Sequence, residues 1–139
     1  MLRLLLIEDD MTRIDLFQKW CPPDIRIVVA SSPGKAIGIL QRDRVYAGIL
    51  LDHDLQEQTL TQTDRLISGS DIVKVIFRNI SKDVPIPAHS MNISRAPIMV
   101  ERLKAAGFNV TRIPMGMLTE RDFLEWMEDV RDLWEIFED

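Results

Sequence analysis

The sequence predicts an α/β fold, a doubly wound five-stranded parallel sheet with strand order 2-1-3-4-5, on three observations. Short apolar runs of strand length alternate with longer amphipathic segments along the whole chain. The runs are continuously apolar or β-branched, as strands covered on both faces are. Each strand-helix-strand unit must cross over right-handed, which makes its strands parallel. No internal repeat and no composition break appears, so residues 1–139 are expected to form a single domain.

Leu2–Ile7 reads as the first buried strand, ending where the chain turns acidic at Glu8-Asp9-Asp10. Met11–Trp20 is expected to be a short helix with Ile14, Leu16, Phe17 and Trp20 on its apolar face. Ile25–Ala30 is β-branched and strand-like. Ser32 caps the next helix, with Pro33 in its first turn, to about Gln41. Tyr46–Leu51 is the third strand and runs into Asp52-His53-Asp54.

Gln56 to Ser68 is rich in Gln and Thr without a period, and reads as a long loop. Gly69-Ser70-Asp71 opens a helix with an apolar stripe of Ile72, Val73, Val75, Ile76 and Ile80. Val84–Ser90 is the fourth strand, although Pro85 and Pro87 are unusual within one. Ser94 caps a helix that carries Pro97 in its first turn and stops at Gly107. Phe108–Ile113 is the fifth strand, and Thr119-Glu-Arg-Asp122 forms a capping box for a last helix to about Phe137. In that helix Phe123, Met127, Val130, Trp134 and Phe137 line one face, the face expected to pack on the sheet. Trp126, Leu133 and Ile136 widen it, so a homodimer through this helix is the alternative expectation.

Apolar residues make up 46% and charged residues 28%, the balance of a folded globular protein, and the formal net charge is −5. An acidic surface repels polyphosphate, which argues against non-specific nucleic-acid binding and leaves room for a small phosphate-containing ligand. Cys21 is the only cysteine, so no intrachain disulfide forms and a reducing, cytoplasmic location is expected. Cys21 itself reads as a packed, inert thiol. The opening apolar run is too short for a signal peptide, and nothing approaches the roughly 20 apolar residues of a membrane span.

In open α/β sheets ligands bind outside the carboxyl ends of the strands. The first strand brings Glu8, Asp9 and Asp10 there, the third Asp52, His53 and Asp54, and the fourth His89, Ser90 and then Asn92. Strands 1, 3 and 4 are neighbours in the predicted order, so these residues converge. Clustered carboxylates repel unless a positive charge compensates them. Glu8, Asp9, Asp52 and Asp54 supply hard oxygen donors suited to Mg²⁺, with Mn²⁺ or Ca²⁺ as substitutes. Taken alone, Asp10 and Asp54 each read as a solvated loop start or a helix cap.

Leu4-Leu-Leu-Ile-Glu-Asp-Asp10, Gly48-Ile-Leu-Leu-Asp52 and Val84-Pro-Ile-Pro-Ala-His-Ser90 resemble a response-regulator receiver domain, a flavodoxin-like fold. The resemblance puts Glu8 and Asp9 on the family's acidic pair, Asp52 on its phosphoacceptor and Ser90 on its hydroxyl residue. Two departures stand out. Receivers carry a lysine just before the proline after strand 5, where this chain has Ile113, and Arg112 beside it should point to the other face. The loop after Asp52 is also unusually long. Asp52-His-Asp-Leu55, Gly69 and His89-Ser-Met-Asn92, with Ala106-Gly107-Phe108, are more similar to the cyclic-phosphate-processing receivers. That resemblance implies action on cyclic phosphates of nucleotides or RNA ends.

His53 and His89 are the only histidines, and both fall in the cluster. Hydrolysis of a cyclic phosphodiester needs a base to activate water and an acid for the leaving oxygen, and two imidazoles supply both near neutral pH. Ser90 and Asn92 are candidates to hydrogen-bond the phosphoryl oxygens, Asn92 being equally a helix cap. The expected function is metal-assisted hydrolysis of a cyclic phosphate, with the loop after Asp54 as a lid. The alternative is a signalling module phosphorylated on Asp52, and a third reading is a binding fold without a working site.

Overall fold

The computed structural model describes residues 2–52, 74–76, 78–90, 98–114 and 118–138. For residues 33, 52, 89, 90, 98–100, 112–114 and 136–138 it describes backbone position. The Gln/Thr-rich segment, His53, Asp54, Asn92 and the expected Ser94 cap lie outside the described residues.

The strands are β1 (Leu2–Ile7), β2 (Ile25–Ala30), β3 (Gly48–Asp52), β4 (Ile86–Ser90) and β5 (Val110–Pro114). The helices are α1 (Met11–Trp20), α2 (Pro33–Arg42), α3 (Ile98–Ala105) and α4 (Glu120–Glu138). Residues 74–76 and 78–79 are also helical. All neighbouring strands are parallel and lie in the order β2-β1-β3-β4-β5, as expected. The order reverses between β1 and β3, which puts the crevice for a ligand beside their carboxyl ends.

Alternation along the strands divides the core into two layers. Leu5, Ile7, Ile49, Leu51 and Ile86 face one side, against Ala36 and Leu40 of α2, Ile76, Ile80, Leu103 of α3 and Phe108. Leu4, Leu6 and Leu50 face the other, against Ile14 and Phe17 of α1 and Phe123, Met127 and Val130 of α4. Of the predicted face of α4, Phe123, Met127, Val130 and Trp134 therefore pack in this layer, with Trp126 beside them, and the Phe137 side chain lies outside those described. Gly48 opens the space for that contact: a Cβ there would come within 3.1 Å of Leu4 Cδ2 and 3.3 Å of Val130 Cγ2. Arg131 ties the outer side of α4 to Asp24 with a two-pronged ion pair, its closer contact 2.6 Å.

Three strands begin later than the apolar pattern suggests, each for a local reason. Tyr46 precedes β3 and lies under the Arg3 guanidinium, 5.2 Å from the ring centre. Val84 belongs to a turn, its amide bonded to the Ser81 carbonyl at 3.1 Å. Phe108 is drawn into the end of α3 rather than into β5. Its amide donates to Leu103 O at 3.0 Å and that of Gly107 to Lys104 O at 3.0 Å, the pair of bonds that closes a Schellman motif. Gly107 has φ 93°, a region that side chains with a Cβ avoid. A Cβ there would meet nothing nearer than Lys82 Cδ at 3.7 Å, so the cost of adding one is conformational. Gly107→Ala is expected to lower stability by about 1–2 kcal/mol in urea unfolding. An unchanged midpoint would show that the turn does not hold this geometry in solution.

The expected caps are present. Ser32 Oγ accepts from the Lys35 amide at 3.2 Å. Thr119 and Asp122 exchange bonds, with Asp122 N to Thr119 Oγ1 at 3.1 Å and Thr119 N to Asp122 Oδ2 at 3.4 Å. Cys21 is half-buried and its Sγ lies 3.5 Å from Ile25 O; burial pushes its thiol pKa up, which keeps it protonated.

Candidate functional site

The register fixes which residues meet at the carboxyl edge. Ile7 pairs with Leu51, and Leu51 with Ala88. One step further, Asp52 pairs with His89, and His89 with Ile113. Glu8 continues the β1 ladder by one residue, its amide donating to Ala30 O at 3.1 Å. Glu8, Asp52, His89 and Ile113 are thus successive positions of one row across β1, β3, β4 and β5, with neighbouring strands about 4.8 Å apart. Ser90 pairs with Pro114 in the next row. Arg112 pairs with Ala88, a buried position on the other layer, so the residue in register with His89 is Ile113.

The acidic triplet after β1 divides into three roles. Asp10 caps α1: its Oδ1 accepts from the Arg13 amide at 3.1 Å, the cap rather than the solvated loop start of its two expected roles. Glu8 is the single buried charged residue among those described, with no exposed surface. Arg13 Nε donates to Glu8 Oε1 at 2.5 Å and Arg13 Nη2 to Oε2 at 3.2 Å. Glu8 Oε2 also accepts from the Asp9 amide at 3.0 Å and the Asp10 amide at 3.3 Å. Its carboxylate therefore holds the turn that presents Asp9.

Asp9 is half-buried, and its pKa is pushed up to about 6, first by burial and next by the charge of Glu8. A carboxylate whose charge is disfavoured in this way is the setting that a divalent cation relieves, so the donor chemistry on β1 fits Mg²⁺. At the end of β1 the donors at hand are Glu8 and Asp9, and Asp52 ends the neighbouring strand β3. Among the described residues no three potential ligands converge.

The raised pKa has a consequence for stability. Between the unfolded value near 3.9 and about 6, folded Asp9 keeps a proton that the unfolded chain has lost. The native state then binds more protons, and stability falls as pH rises through that window. Asp9→Asn is expected to raise the metal-free Tm at pH 8 and to leave it unchanged near pH 3. Calorimetry in the presence of a chelator measures this, and a Tm loss at pH 8 would refute it.

Arg13 is the site residue that the sequence reading passed over. Its signal was available: an arginine three residues after a capping aspartate sits in the first helical turn, within reach of the preceding strand end.

The parallel order β2-β1-β3-β4-β5, with acidic residues gathered at the carboxyl edge of β1 and β3, defines a receiver-type α/β domain. Solved structures agree on that fold. A response-regulator receiver domain from Clostridium thermocellum shares 14% identity at TM-score 0.70, over 99% of each chain. A CheY-like receiver domain from Methanospirillum hungatei shares 15% at TM-score 0.69, over 97% of this chain and 98% of that one. The receiver domain of a sensor histidine kinase from Pseudomonas aeruginosa shares 20% at TM-score 0.60, over 95% and 96%, and holds a magnesium ion in its active-site cleft. The particular family follows from the sequence: the cyclic-phosphate processing receiver domain matches residues 4–105, and the chain belongs to that family. The match ends with α3, before the β5 position where Ile113 stands in for the receiver lysine. No curated protein matches the chain.

Proposed function

We propose that the chain hydrolyses a cyclic phosphate, on a small nucleotide or at a nucleic-acid end, with the help of a divalent cation. The observation that carries this reading is the backbone pairing of Asp52 with His89, one step beyond the Ile7–Leu51 pair that Glu8 and Asp9 follow in the chain. An imidazole-bearing residue and carboxylate-bearing residues thereby share the edge at which this fold binds ligands. Membership of the cyclic-phosphate processing family supports the substrate class.

His53 and His89 would divide the proton transfers, one taking a proton from water and the other giving one to the departing ester oxygen. Bound Mg²⁺ would neutralise charge on the phosphoryl oxygens. Asp9 and Asp52, with Asp54, would hold it, while Ser90 and Asn92 would donate hydrogen bonds to the same oxygens. The site works from the cytoplasmic side of the cell in this reading, on a small phosphate-containing ligand.

The receiver fold itself favours one second reading, phosphorylation of Asp52 in a signalling module. Ile113 in the His89 row argues against it, because a lysine that pairs with the phosphoryl group is replaced by an apolar residue. Chelation tests the leading reading. With excess EDTA, turnover of a 2′,3′-cyclic nucleotide is expected to fall at least tenfold and to return with added Mg²⁺. Undiminished turnover in EDTA would remove the cation from the mechanism. A phosphoryl adduct on Asp52 after acetyl phosphate, without cyclic-nucleotide turnover, would favour the signalling module.

A further inference from the structure

We infer that Arg13 withholds Glu8 from any cation at the carboxyl edge, so that β1 contributes one metal-binding carboxylate, Asp9, rather than two. The inference rests on the metal-assisted reading above and concerns how that site is built.

Among the described residues the two oxygens of Glu8 take four N–H bonds: one to Oε1 from Arg13 Nε at 2.5 Å, and three to Oε2 from Arg13 Nη2 at 3.2 Å, Asp9 N at 3.0 Å and Asp10 N at 3.3 Å. An ionised carboxylate offers about two lone-pair sites on each oxygen, so Oε2 is filled and Oε1 is held by the closest bond of the guanidinium. Mg²⁺ demands an oxygen lone pair at about 2.0–2.1 Å in near-octahedral geometry. To ligate through Oε2, Glu8 would have to surrender an N–H bond, and through Oε1 it would have to bring the cation against the Arg13 guanidinium, in either case fully out of solvent.

Arg13 is not placed to yield. Its backbone is anchored by the Asp10 cap, its side chain is only 12% exposed, and a guanidinium keeps its charge at any physiological pH. The guanidinium and carboxylate therefore compensate each other's charge, and together they hold the Asp9-Asp10 turn. Arg13 is a positioning residue: it acts through Glu8 on the shape of that turn and on the number of carboxylates that a cation meets.

Mn²⁺ titration of the full chain, followed by electron paramagnetic resonance, tests this without reference to turnover. Arg13→Met frees a carboxylate and is expected to tighten Mn²⁺ binding about tenfold, since affinity follows the number of charged ligands. A merely structural arginine would not produce a gain. Glu8→Gln combined with Arg13→Met removes both charges, keeps an acceptor for the Asp9 and Asp10 amides, and should hold Kd within about threefold of wild type. The double variant carries the test if Arg13→Met alone fails to fold. Loss of tenfold or more in the folded double variant, with wild-type binding intact, would overturn the clamp and leave the metal reading standing. No Mn²⁺ binding by the wild type or by either variant would overturn both.

Discussion

His89→Ala is expected to slow cyclic-phosphate hydrolysis by about 10²–10⁴-fold, the usual worth of a positioned general acid or base. Water attacks phosphorus on the side opposite the ring oxygen that leaves. One group must accept the proton from water while another protonates the departing alkoxide. His89 is fixed by backbone pairing to Asp52 on one side and Ile113 on the other, so its position on the sheet edge does not depend on a loop. The variant should keep the circular dichroism and urea midpoint of the parent, because the sheet ladder at this position is made by backbone groups. His53→Ala should act in the same direction, and replacing both histidines should leave no more than the rate that the cation supports. Full activity in the double histidine variant would contradict the assignment.

Phe123→Ala is expected to cost about 3–5 kcal/mol of stability, the largest effect of a single core change in this molecule. Phe123 is fully buried in α4, with its ring 5.5 Å from that of Phe17 and 5.9 Å from that of Trp20. Phe17 and Trp20 meet edge to face at 6.3 Å, so the three rings join α1 to α4 over the β1-β3 side of the sheet. Removing the central ring leaves a cavity that both helices border, and neither can move in without leaving the sheet. The same layer carries the helix whose first turn holds Arg13, so loosening it should also disturb the Asp9 turn. A urea midpoint shift amounting to less than 1 kcal/mol would mean that α4 contributes little to the fold.

Much of this was legible in the sequence, and the reasons are physical. Strand order followed from buried, continuously apolar runs and right-handed crossovers, because those constraints leave few topologies. Ser32 and Thr119 were readable as caps because capping needs only local spacing, which left Asp10 between a cap and a solvated loop start until its bond to the Arg13 amide was seen. The starts of β3, β4 and β5 were not readable, since Tyr46, Val84 and Phe108 are as apolar as strand residues but are held by Arg3, a turn and a Schellman bond. The row of Asp52 and His89 was predicted as proximity, and the register made it a direct pairing. What the sequence reading did not draw out was the partner of Glu8: Arg13, five residues on, bonds both of its oxygens. That pairing depends on how α1 enters from β1, which the spacing of Arg13 after Asp10 suggests and the structure fixes.

The central claim is turnover of a cyclic phosphate at the Asp52–His89 edge. Phosphorus NMR of the purified chain with Mg²⁺ and a panel of 2′,3′- and 3′,5′-cyclic mononucleotides tests it most directly. The account predicts that at least one cyclic resonance is replaced by that of a ring-opened monoester, at a rate cut at least a hundredfold by His89→Ala. Unchanged cyclic resonances across the panel and for an oligonucleotide ending in a cyclic phosphate, together with a phosphorylated Asp52 after acetyl phosphate treatment, would contradict it.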